Sequence, residues 1–288
     1  MFRLGIRCGI VVLIIVAYLF PGRRGAGSDE FQRCLRRARR YCHVLNRILG
    51  WRVRICGRRD GLYGNGLYVA NHMSYIDPLV LMALAPMRFI TSQDVARSRL
   101  LGGVARRAGC LFTDRRNPRA ARRDADGLAA HLHHAPVAIF PEATSSDGSG
   151  VLPFKPAFFS SALAAACPVR PLCIRYLAVG GRPFAGRERD RVCWHGDMRF
   201  MPHLWRLLHV TSVHIEIHVL EPLTIVTGQS RKQLAVQAHK LIASCFLQPA
   251  MSSTYNDSGP NAPHRRLPQR PAAMGCRHDA DPGHREQL

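Results

Sequence analysis

YVANHMSYIDP, residues 68–78, joins two kinds of pattern in a few residues. The run entering it, LYVA, is apolar and stops at Asn71, whereas the run leaving it from Pro78 has helical spacing. An apolar strand passing through a short polar loop into a helix is the unit from which parallel sheets are built. Outward from this stretch the same handover recurs. Strand-like runs are expected at 51–55, 67–70, 89–91, 110–113, 137–140, 169–176 and 213–220, and helices at 78–85, 97–108, 119–134, 156–166, 201–208 and 230–246. The alternation predicts an α/β domain with a largely parallel sheet flanked by helices, in which functional groups collect where strands end.

Three strand exits carry the chemistry. In the first, Asn71, His72 and Asp77 share a short loop, close enough for a turn to bring the carboxylate against the imidazole. Acyl transfer to an alcohol needs a base poised near neutral pH, and a carboxylate on the other ring nitrogen fixes the tautomer and stabilises the imidazolium. The second exit, AIFPEATSSDG at 138–148, supplies Glu142, Thr144 and Ser145, which suit substrate phosphate or hydroxyl groups and equally suit a capped loop. The third, GCLFTDRRNPRAARR at 109–123, offers Arg115 and Arg116, whose guanidinium forks match a phosphate and also the solvated end of a basic helix.

In order and spacing, these pieces resemble the glycerolipid acyltransferases of the lysophosphatidate (1-acyl-sn-glycerol-3-phosphate) type. Asn71, His72 and Asp77 match an Asn-His-x4-Asp motif; Gly109, Phe112 and Arg115 match Gly-x-x-Phe-x-x-Arg; Phe140 to Thr144 match Phe-Pro-Glu-Gly-Thr; and Pro168 to Pro171 match a proline-containing strand. The likeness spans roughly 50 to 225. It implies that His72 deprotonates an acceptor hydroxyl and Asp77 orients His72, without a covalent acyl-enzyme, a metal or a cofactor. It further implies that Asn71, Phe112, Arg115, Glu142, Thr144 and Ser145 bind the acceptor, that Pro171 lines the side of the acyl donor, and that the donor is acyl-CoA or acyl carrier protein. The implied acceptor is 1-acyl-sn-glycerol-3-phosphate; SSDGSGVLPFKPAFF and CWHGDMRFMPHLWRLL look closer to members that acylate lyso-ornithine lipid or other lysophospholipids. One position departs, since Ala143 stands where the family has Gly, and a positive φ there would strain the turn.

The ends point to a membrane. Residues 8–20 carry no charge and are flanked by arginines, so 1–27 is expected to be a retained anchor segment rather than a cleaved signal. At 28–49, Phe31, Leu35, Ala38, Cys42, Leu45 and Leu49 recur at helical spacing, with Arg33, Arg36, Arg37, Arg40 and Arg47 on the other faces, predicting a basic amphipathic helix suited to a headgroup layer or packed on the domain. The acyltransferase domain is assigned to 50–249 and a disordered tail to 250–288. A net charge of +22 from 41 basic and 19 acidic residues points to an anionic partner, an arginine-rich genome being the alternative source of the excess. Membrane lipid, the lysolipid and the acyl carrier are such partners, and the absence of a nucleic-acid-binding motif argues against DNA or RNA. The arginines after the apolar segment place the catalytic domain on the cytoplasmic side, for a bacterial protein at the inner membrane.

Ten cysteines show no metal-binding spacing and fit reduced thiols. The run VHIEIHV points His214, Glu216 and His218 to one face, read as a solvated sheet face rather than a metal trio. A serine hydrolase is the nearest rival enzyme class, and the lack of a Gly-x-Ser-x-Gly elbow argues against it.

Overall fold

The computed structural model describes residues 2–19, 28–114 and 118–248; Arg115, Arg116 and the expected tail from 250 onward lie outside the described residues. Every expected strand is present: β1 (Trp51–Gly57), β2 (Leu67–Ala70), β3 (Arg88–Ser92), β4 (Leu111–Thr113), β5 (Val137–Ile139), β6 (Val169–Val179) and β8 (Val213–Val219), with a two-residue β7 (Arg182–Pro183) added. They form one sheet in the order β1-β8-β6-β2-β5-β3-β4, with β7 on β6. All neighbours run parallel except β6 with β8 and β6 with β7. All positions of β2 and β5 are buried, as befits central strands covered on both faces.

Alternation along the strands divides the core. Tyr68 and Ala70 of β2 and Leu172, Ile174 and Tyr176 of β6 face one apolar cluster, which also takes in α1 (Phe2–Leu19), α2 (Ser28–Ile48), α3 (Ile76–Leu84) and α8 (Phe200–Leu208). Leu67, Val69, Val169 and Cys173 face the other, beneath α6 (Pro118–Leu132), α7 (Phe159–Ala164) and α9 (Arg231–Leu247). Between β3 and β4, the single helix expected at 97–108 is instead α4 (Gln93–Arg97) and α5 (Arg99–Arg107). Ser92 and Ser98 each accept a backbone N–H three residues on, so Ser98 caps a new helix rather than continuing the old one.

The N-terminal segment differs from the expected anchor in what it touches. Arg7 donates to the carbonyls of Ile48, Leu208 and Val210, and Tyr18 is buried, so α1 is packed on the domain. Among the described residues no helix is long and apolar enough to cross a membrane. On α2, Leu35, Ala38 and Leu49 of the apolar stripe are buried in the core, while Arg33, Arg36, Arg40 and Arg47 are exposed. Packing on the domain therefore accounts for the stripe, and the arginines remain in water.

Candidate active site

His72 leaves the end of β2, and Asp77 lies in the first turn of α3, which begins two residues before the start expected at Pro78. Asp77 is fully buried and receives four donors. His72 Nδ1 lies 2.8 Å from Oδ2, which also accepts the backbone N–H groups of Met73 at 2.7 Å and Ser74 at 2.8 Å, while Oδ1 accepts the Tyr176 hydroxyl at 2.5 Å. A carboxylate held by these four donors has one orientation. The His72 ring stacks on Phe140 with centroids 4.2 Å apart, and its side chain keeps 18% exposure. With Nδ1 engaged by Asp77, Nε2 is the nitrogen left for a reacting hydroxyl.

Two more motif residues hold this loop from below. Asn71, almost fully buried, spans to β6 by accepting from the Ile174 N–H at 2.7 Å and donating to its carbonyl at 2.9 Å. Glu142, only 3% exposed, accepts the His72 N–H at 2.7 Å and the Leu152 N–H at 3.0 Å. Burial, with a smaller contribution from the Asp77 charge, pushes its carboxyl up to about 8 against the pull of those two donors. Both oxygens thus face backbone, beneath the imidazole, rather than an open acceptor site.

The adjoining turn carries Ala143 at φ +63°, the left-handed region that costs a non-glycine residue about 1–2 kcal/mol. Ser146 N–H donates to the His72 carbonyl, and Ser145 Oγ donates to the carbonyl of Trp194, whose own N–H donates to Met73 at 2.9 Å. Thr144 is exposed. A cavity of about 90 Å³ opens beside this turn, lined by Ile90, Ile139, Phe140, Ala143, Lys155 and Phe158 among others. The structure therefore gathers Asn71, His72, Asp77, Glu142 and the 143–146 turn at the ends of β2 and β5. Phe112 sits apart on β4 beneath the Arg106 guanidinium. Pro171 alternates with Leu172 and Tyr176, so it shares the α9 face of β6 with Cys173 and not the face of His72. Tyr176 and Trp194 are not singled out by spacing, since each reads as one more apolar residue in a strand or loop.

The second His–carboxylate grouping lies at the β1–β8 edge. Arg54, Glu216 and Arg175 stand in one row across β1, β8 and β6, and Cys56, His218 and Cys173 in the next. Glu216 is buried, not solvated as expected, because its oxygens are met by Arg54, by His218 Nε2 at 2.9 Å and by Arg175 at 3.8 Å. Burial alone would raise the Glu216 carboxyl, but hydrogen bonds from Arg54 and His218 outweigh it and hold it below the usual range. Ligand atoms of Cys56, Glu216 and His218 lie within 4.8 Å of one another.

Residues 52–175 match the family model described as Acyltransferase. The lyso-ornithine lipid O-acyltransferase of Pseudomonas aeruginosa is 36% identical over 231 residues, 79% of this chain and 85% of that protein. The protein of the same name from Rhizobium meliloti is 30% identical over 237 residues, 79% of this chain and 80% of its own. The 1-acyl-sn-glycerol-3-phosphate acyltransferase of Neisseria gonorrhoeae is 31% identical over 163 residues, covering 56% of this chain and 62% of that protein. In fold, the chain is similar to the crystal structure of the 1-acyl-sn-glycerophosphate (LPA) acyltransferase PlsC from Thermotoga maritima, with TM-score 0.58, 18% identity, and coverage of 85% of this chain and 92% of that one. With the His–Asp pair at the end of β2 inside the matched segment and relatives of 30% identity or more across most of its length, the chain is an enzyme of the acyltransferase family.

Proposed function

We propose that this enzyme moves a fatty acyl group from a thioester, acyl-CoA or acyl carrier protein, onto the hydroxyl of a lysolipid. The observation that carries this reading is the His72–Asp77 hydrogen bond at 2.8 Å, with Asp77 fully buried and the imidazole at the surface end of its strand. His72 Nε2 takes the hydroxyl proton as the acceptor oxygen attacks the thioester carbonyl. The C–O bond forms, the C–S bond breaks, and the departing thiolate recovers the proton from the imidazolium. Asp77 stabilises that imidazolium, while Phe140 and Glu142 hold the ring and its backbone in place. These residues need no metal and no cofactor for this chemistry.

Two acceptors fit. The motif likeness supports 1-acyl-sn-glycerol-3-phosphate, giving phosphatidic acid. Relatives named for lyso-ornithine lipid, which align over 79% of the chain, support that acceptor as well. In this reading Thr144 and the 143–146 turn meet the headgroup together with Arg115, and the catalytic domain covers 50–249. The exposed side chains of Val12 and Leu13 on α1 and Met201 and Trp205 on α8, with the α2 arginines, support attachment at the surface of an anionic membrane. We assign that membrane to the cytoplasmic side of a bacterial inner membrane. The test supplies membranes containing the full chain with a labelled acyl thioester and a panel of lysolipids. Product on a lysolipid that disappears in folded His72→Ala is expected; product that persists overturns the reading.

A further inference from the structure

Asp77 has two oxygens, and only one of them serves His72. The other meets the hydroxyl of Tyr176, which comes from a strand 99 positions away in sequence. Three features converge on this contact. Tyr176 is 4% exposed, and its ring is wedged edge-on against Phe184 with centroids 5.5 Å apart. The β6–β8 pairing passes from Tyr176 opposite Ile215 directly to Ala178 opposite His214, so Leu177 is an extra residue and the strand bulges immediately after Tyr176. Bulges re-aim side chains beside functional sites. The hydroxyl also has no competing charged neighbour on its own strand, because Arg175 points to the opposite face and pairs with Glu216.

We infer that Tyr176 is a positioning residue for the reaction, a neutral donor, aimed by the β6 bulge, that fixes the Asp77 carboxylate and sets how strongly His72 acts as a base. The inference rests on the proposed role of His72. A neutral donor differs from a cationic one. It orients the carboxylate and withdraws part of its charge, yet leaves enough to stabilise the imidazolium. Burial and the adjacent Asp77 charge hold the Tyr176 hydroxyl far above its ordinary range, so it remains a donor at every working pH. The other titratable groups around the pair are Tyr75 on the same loop, Glu142 after β5 and Cys193 in the loop before α8.

The test is the pH profile of kcat/KM for wild type and Tyr176→Phe in membranes. Removing the donor concentrates charge on the oxygen facing His72 and steadies the imidazolium. The acid limb, where His72 loses its basic form, therefore moves to higher pH, and kcat falls by about tenfold, with KM for both substrates unchanged. Incorporating 3-fluorotyrosine at 176 keeps ring and hydroxyl while making the donor more acidic, so the limb moves to lower pH; this variant decides the matter if Tyr176→Phe does not fold. A limb that stays in place in a folded variant, or a loss confined to KM, overturns the inference. An inactive His72→Ala beside an unmoved limb leaves the proposed function standing and removes only Tyr176, whereas an active His72→Ala removes the functional reading itself.

Discussion

Among the described residues, two buried carboxylates are hydrogen-bonded to a histidine at nearly equal distance: Asp77 with His72 at 2.8 Å, and Glu216 with His218 at 2.9 Å. They differ in what else holds the carboxylate. Asp77 is held by two backbone N–H groups and a tyrosine hydroxyl, all neutral, whereas Glu216 lies between the guanidinium groups of Arg54 and Arg175. Neutral donors leave the negative charge for the imidazole; two arginines consume it. Position differs as well. His72 stands at a strand exit beside a cavity, and His218 stands within β8 under the end of α9, where Arg175 also donates to the Gln248 carbonyl. Under the proposed function, a His–carboxylate contact is thus a catalytic element at one place and a structural clasp at the other.

Five substitutions test that contrast and its surroundings. The largest expected effect is His72→Ala, which should lower kcat/KM by about three orders of magnitude, while His218→Ala leaves the specific activity of the folded enzyme within about twofold; parallel assays on membranes compare them, and equal losses would erase the distinction. Next, Glu216→Gln strands the nearly buried Arg175 and should cost roughly 3 kcal/mol of stability by thermal or denaturant unfolding, again with specific activity retained.

A pH series sharpens the second site. The hydrogen bond to the Cys245 sulfur comes first among the causes that raise the His218 imidazole, ahead of the one to Glu216 and against burial. A raised folded value means that the stabilisation is complete below the ordinary histidine value of 6.5 and is lost as pH rises through the raised one. His218→Gln should remove that alkaline decline in melting temperature; a decline unchanged in the variant excludes His218 as its source. The smallest change is Ala143→Gly. It relieves a positive φ at the price of a more flexible unfolded chain, for a net gain of under about 1 kcal/mol, read from the unfolding midpoint.

Much of this was legible before folding. Apolar runs of strand length separated by helical periodicity located β1 to β6 and β8, and the residues at the exits of β2 and β5 could be named from their chemistry alone. The roles of some could not. Glu142 reads as a headgroup ligand from its motif and turns out to hold two backbone N–H groups under the imidazole. Ser98 reads as one more helix residue and instead caps a second helix. VHIEIHV reads as a solvated alternating strand, and the arginines that bury its glutamate come from strands 41 and 162 positions away.

By itself, then, the sequence determined what is periodic or contiguous: the order of strands and helices, the apolar stripe of α2, and a histidine with a carboxylate five residues later. Local spacing suffices there because backbone geometry repeats every two or 3.6 residues. Tertiary structure alone decided what depends on strand order. It set Tyr176 against Asp77, turned Pro171 to the face away from His72, packed α1 and α2 on the core, and gave Glu216 its two arginines. Those outcomes follow from which strands become neighbours when the sheet closes, and no local pattern encodes a hydrogen bond between residues a hundred positions apart.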